Sequence, residues 1–170
     1  MRTGRDKAIT IAGILTVFML LFRCPEWLHS DVWYIAAVHH FYHANIFHLA
    51  VNCLSLWLMF RNPSSVLRWS TVAAAYVLAS LSWFASSADV IGASNFIFAI
   101  VGLRTPAFSH SWWRQPSVLF FLIVTVAMAV LPQVAAITHI VSFSSGCLVA
   151  SASRFIKRIS HDLHRVSNNR

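Results

Sequence analysis

The chain has 170 residues, of which 58% are hydrophobic and 11% charged, with a formal net charge of +8. Soluble domains carry about 25% charged residues, so this composition excludes an ordinary soluble domain and points to an integral membrane protein. The basic balance suits nucleic acid in principle, but its placement on alternate connections fits membrane topology, and no nucleic-acid partner is expected.

Gly, Pro and charged residues divide the chain into six apolar segments, at 8–22, 46–60, 69–86, 90–103, 118–131 and 134–153. A helix needs roughly 20 residues to cross the hydrocarbon core, with about 17 as a practical minimum, so the shorter segments must borrow flanking residues. The expected fold class is all-α, a polytopic bundle of six transmembrane helices. It would take up residues 1–170 as a single domain, without repeats or a long linker.

The first segment follows Arg2, Arg5 and Lys7. No small-residue cleavage site precedes Cys24-Pro25, so it is expected to remain as a helix. The connection at 23–45 carries Trp27, Trp33, Tyr34, Phe41 and Tyr42, the aromatic pattern of a segment lying in the membrane interface. The second segment holds His48 and Asn52, spaced i,i+4 and so on one helix face. Ser94 lies in the fourth segment and His139 in the sixth. Cys24, Cys53 and Cys147 are too few and too scattered for a disulfide framework or a zinc site. No metal and no cofactor are expected.

Twelve of the 13 basic residues fall on alternate connections, before the first segment, after the second, after the fourth and after the sixth. The positive-inside rule then makes both termini cytoplasmic. The second, fourth and sixth segments all run from outside to inside. At 1.5 Å per residue, Ser94 lies roughly 8 Å below the outer end of its helix and His139 roughly 9 Å. His48 and Asn52 lie roughly 5 and 10 Å down. One shallow layer therefore holds all four.

Polar side chains in lipid are costly and usually face the bundle interior for a functional reason. A serine hydroxyl needs a base to become a nucleophile, and a developing oxyanion needs preorganised donors. Serine, histidine and two further donors at one depth are the inventory for acyl transfer inside a membrane. No carboxylate falls within an apolar segment, so the expected unit is a Ser94–His139 dyad. Each such residue taken alone is more often a helix–helix hydrogen-bonding group; their shared depth and complementary chemistry favour catalysis.

At these residues the chain resembles the rhomboid intramembrane serine proteases. His43, His48 and Asn52 match that family's HxxxxHxxxN pattern. Gly92-Ala93-Ser94-Asn95 stands in place of GxSG, with Gly102 following at the expected spacing. His139, Ser142 and Gly146 resemble HxxGxxxG. The resemblance implies Ser94 as nucleophile, His139 as general base and then acid, and His48 and Asn52 in the oxyanion hole with the Ser94 N–H. It implies supporting places for His43 at the rim and for Phe98 against the catalytic histidine. Asn95 replaces a glycine, and its side chain is expected to crowd the substrate approach. Ser142 replaces another glycine, while Thr138 stands where alanine is common.

The implied function is hydrolysis of peptide bonds in or near transmembrane segments of other membrane proteins, with the fifth segment and its Pro132-Gln133 cap as the gate. The implied partners are transmembrane protein substrates and the lipid bilayer, in the inner membrane of a bacterium. The alternative is a catalytically inactive rhomboid-like protein that binds membrane-protein clients. A metal or haem site on His39, His40, His43 and His48 lacks an HExxH motif or a carboxylate partner to support it.

Overall fold

The computed structural model describes residues 4–22, 33–60, 67–85, 91–105, 118–119, 122–124, 126 and 136–168. These residues form helices and connections, with no strand among them. Helix α1 spans Gly4–Leu21, and α2 is one turn at Ile35–Val38 continued by a 3-10 turn at His39–Phe41. Then come α3 (Ile46–Phe60), α4 (Trp69–Ser82, followed by a 3-10 turn at Trp83–Ala85), α5 (Ser94–Arg104) and α6 (Ala136–Asn168). In the fifth apolar segment residues 118–119, 122–124 and 126 are helical. The rest of 118–131, the Pro132-Gln133 cap and Trp27 lie outside the described residues, as do Arg23, Arg61 and Arg114.

Local chemistry sets the helix starts. Asn45 caps α3, its side-chain oxygen accepting the His48 N–H at 2.9 Å, which satisfies one of the donors a helix start leaves open. The fourth segment, expected from residue 90, becomes helical only at Ser94. Gly92 intervenes with φ of 108°, a left-handed conformation that ends one chain direction and begins another. Helix α1 starts at Gly4, a turn before residue 8, and Lys7 there donates to the Leu67 carbonyl at 2.7 Å. Helix α6 was expected to end at residue 153 but continues to Asn168. No Gly or Pro interrupts 147–168, its Arg and Lys residues are good helix formers, and Arg154 anchors it by donating to the Thr105 carbonyl at 3.2 Å.

Side-chain contacts give the helix directions. Ser94 meets His139 near the starts of α5 and α6, and Gly102 faces Phe143 and Cys147 further along both, so α5 and α6 run parallel. Arg104 covers the Phe60 ring at the far ends of α5 and α3, which gives α3 the same direction. Ser82, at the end of α4, meets Ser142 in the first half of α6, so α4 runs the opposite way. Phe18 near the end of α1 packs on Phe41 and Tyr42 just before α3, and α1 is therefore antiparallel to α3.

Helix α5 sits in the middle. Residues 94 to 102 are all buried, and a helix apolar all round needs neighbours on every side. Two glycines let α6 approach it at backbone distance. A Cβ on Gly146 would lie 2.7 Å from the Ala99 carbonyl oxygen, and one on Gly102 would strike the Phe143 carbonyl. Among the described residues, Ala136–Arg165 is the one helix long and apolar enough alone to cross a membrane. The bent pair Ile35–Phe41 and Ile46–Phe60, turning by 88°, meets the same test together.

Gly102→Ala is expected to cost about 1–3 kcal/mol, the usual penalty for overpacking. Gly13 on α1 has nothing within 4 Å of its Cβ position, so Gly13→Ala should gain about 0.5–1 kcal/mol from helix propensity. Thermal unfolding of both variants in detergent checks the pair, and equal shifts would show that the α5–α6 seam is looser than described.

Candidate active site

Ser94 is the first residue of α5. A first-turn N–H has no acceptor within its own helix, so the Ser94 N–H faces forward as a donor. The Ser94 hydroxyl and His139 Nε2 are 2.7 Å apart, and both residues are buried. If the serine donates, His139 accepts at Nε2 and carries its proton on Nδ1. His139 Nδ1 has no hydrogen-bond partner among the described residues, so no carboxylate there completes a triad. The ring of Phe98, one turn along α5, lies 4.6 Å from the His139 ring, tilted by 54°.

His48 and Asn52 share the inward face of α3. A Cβ on Gly92 would fall 2.5 Å from His48 Cε1, so the imidazole occupies the space that glycine leaves open, two residues before the serine. Gly92 is thus required twice, for its positive φ and for this close approach. Asn52 is 4% exposed and its amide nitrogen has no hydrogen-bond partner among the described residues. A buried amide donor without a partner costs roughly 1–3 kcal/mol and is available to bind developing negative charge.

The connection before α3 braces this layer. His43 Nε2 accepts the Ala93 N–H at 3.4 Å, and its ring stands 5.2 Å from that of His48. The His39 carbonyl accepts the Gly92 N–H at 2.9 Å. His40 Nε2 pairs with the Ser80 hydroxyl at 3.2 Å, and the Tyr76 hydroxyl donates to the Ala37 carbonyl at 2.5 Å. No motif signals the bracing roles of His39, Tyr76 and Ser80, because each depends on a partner in a distant segment. No group of three or more His, Cys, Asp or Glu side chains could hold a metal among the described residues. Trp33 and Tyr34 are exposed, as an interfacial segment requires, whereas Tyr42 is buried and Phe41 turns inward onto Phe18.

Asn95 departs from expectation. Its side chain is fully buried and accepts a hydrogen bond from the Thr138 hydroxyl at 3.0 Å, so it points into the α5–α6 interface and does not crowd the approach to Ser94. Ser142 likewise has a partner that the sequence concealed, donating to the Ser82 hydroxyl at 2.7 Å.

A family model for the rhomboid domain matches residues 29–154. The chain belongs to the rhomboid family. No curated protein and no solved structure matches it. Membership makes the chain an integral membrane protein of a family of intramembrane serine proteases that also has inactive members. Exposed Phe47, Val51, Leu54 and Leu148 then form rhomboid surface suited to lipid.

His39 and His43 lie in the connection outside the apolar segments, where burial lowers their imidazoles from 6.5 to about 4. The neighbouring His48 lowers His43 further, while backbone bonds oppose the shift at both residues. The unfolded chain therefore binds more protons between about pH 4 and 6.5, and stability rises with pH across that window. The melting temperature in detergent should be highest above pH 6.5 and fall toward pH 4, with a shallower slope in His43→Gln. A flat profile in the unmodified protein would show that these rings are hydrated.

Proposed function

We propose that the protein is an intramembrane serine protease that cuts transmembrane segments of other membrane proteins with a Ser94–His139 dyad. The observation that carries this reading is the 2.7 Å hydrogen bond between Ser94 and His139 Nε2. Those atoms come from separate helices and are buried in an apolar bundle. In the proposed reaction Ser94 Oγ attacks the scissile carbonyl carbon as its proton passes to His139 Nε2. The tetrahedral oxyanion is met by the Ser94 N–H, the Asn52 amide and His48. As the carbon–nitrogen bond breaks, His139 returns the proton to the leaving amine. Water, deprotonated by the same imidazole, then hydrolyses the acyl-enzyme and regenerates Ser94. Phe98 supports the His139 ring, and His43 holds the Ala93 N–H and with it the turn before the nucleophile.

The same proposal includes six transmembrane helices in one domain over residues 1–170, with the fifth apolar segment as the gate. The basic residues on alternate connections support cytoplasmic termini, in the inner membrane of a bacterium. Reporters fused at Met1 and Arg170 should both read cytoplasmic; a signal from the opposite side at either end would overturn the shared shallow depth of Ser94 and His139 below the outer face.

With a generic transmembrane substrate in detergent, Ser94→Ala and His139→Ala should each abolish cleavage while the protein stays folded. Asn52→Ala should lose roughly 10²–10³-fold in rate, as for one oxyanion donor. Fluorophosphonate labelling should mark Ser94 in the unmodified chain. A folded protein that neither labels nor cleaves would be a client-binding rhomboid without catalysis.

A further inference from the structure

We propose that Asn95 and Thr138 form a positioning clamp that sets the alignment of Ser94 with His139. The inference deepens the protease reading and rests on it. Asn95 directly follows Ser94 on α5, and Thr138 directly precedes His139 on α6. The Thr138 hydroxyl donates to Asn95 Oδ1 at 3.0 Å, beside the 2.7 Å contact of the dyad. Two interhelical hydrogen bonds therefore join consecutive residues of the same helix pair, one reactive and one wholly enclosed. Both Asn95 and Thr138 are 0% exposed, so neither meets substrate.

A clamp is needed because the seam further along cannot do this work. Gly102 and Gly146 allow the backbones of α5 and α6 to touch, but a smooth glycine contact has no directional preference. It sets how near the helices lie and by itself leaves rotation about their axes weakly restrained; the Ser142–Ser82 bond holds α6 against α4 but does not set how α5 faces α6. A hydrogen bond between short side chains restrains that rotation, since it weakens steeply as its angle departs from linear. Rotation of either helix also carries Ser94 Oγ or His139 Nε2 out of line, and a misplacement of about 1 Å can cost on the order of 100-fold in rate. The Asn95 amide nitrogen has no hydrogen-bond partner among the described residues, so the Thr138 bond is what orients the Asn95 side chain.

The test compares Thr138→Val, Thr138→Ser, Asn95→Ala and the Asn95→Ala/Thr138→Val double variant of the full chain in detergent. Thr138→Val and Asn95→Ala should each lower kcat and the fluorophosphonate labelling rate of Ser94 by roughly 10- to 100-fold, with KM within about twofold. Thr138→Ser keeps the donor and should restore most of the rate, and the double variant should be no slower than the worse single one. A lower melting temperature with kcat and labelling unchanged would overturn the clamp, as would multiplicative losses in the double variant. The imidazole 15N signals of His139 give a readout that does not need activity. The Nε2 signal should move in Thr138→Val and return in Thr138→Ser. An unmoved signal overturns the clamp even in a protein that cleaves. A moved and rescued signal supports it even if the unmodified chain neither labels nor cleaves, the result that would instead end the protease reading.

Discussion

The approach of α5 to α6 is the constraint on which the rest depends. Two helices normally lie 8–10 Å apart, held off by their side chains, and here glycines remove those side chains at the point of closest contact. Gly102 and Gly146 each face the backbone of the opposite helix. With the axes that near and parallel, residues two turns toward the helix starts are also brought together, and this is where Ser94 and His139 stand. A hydrogen bond between side chains of short reach on two helices requires such a seam; a bulky contact there would part Ser94 from His139. The seam also encloses α5, whose apolar residues find partners on every side.

Around the starts of α3 and α5, polar backbone must be satisfied without a regular helix. The turn at 91–93 is non-helical, and unpaired N–H groups near lipid cost several kcal/mol each. The connection before α3 meets that need, with the His39 carbonyl taking the Gly92 N–H and His43 taking the Ala93 N–H. The closely spaced His39, His40 and His43 thus supply hydrogen-bonding groups of a compact brace. Burial keeps the His43 ring neutral near neutral pH, which suits its acceptance of the Ala93 N–H, because a protonated ring has no lone pair to offer.

Composition was enough for the membrane class and for a helical fold, because a chain this apolar has few other ways to satisfy its backbone. Polar residues inside apolar segments stood out for the same energetic reason, and the expected pair of Ser94 and His139 is joined by a hydrogen bond in the structure. Harder to read were groups whose partners come from distant segments. Asn95 looked like an obstruction because its neighbour in sequence is the serine, while its partner Thr138 is 43 positions away. Ser142 looked like a lost glycine, yet it is matched by Ser82 on α4. Phe41 and Tyr42 looked interfacial, and the inward turn of the connection onto Phe18 buries Tyr42 and half-buries Phe41.

By itself the sequence determined the helical class, the apolar segments, the rhomboid motifs and the small residues that allow close packing, since each depends on local composition and spacing. Tertiary structure alone decided which way Asn95 points, where α5 begins and which hydrogen bonds hold the connection before α3 against the turn at 91–93. Those features depend on the rotation of each helix about its axis and on one positive φ at Gly92. Helical periodicity says which residues share a face but not which neighbour that face will meet, and the packed bundle supplies that answer.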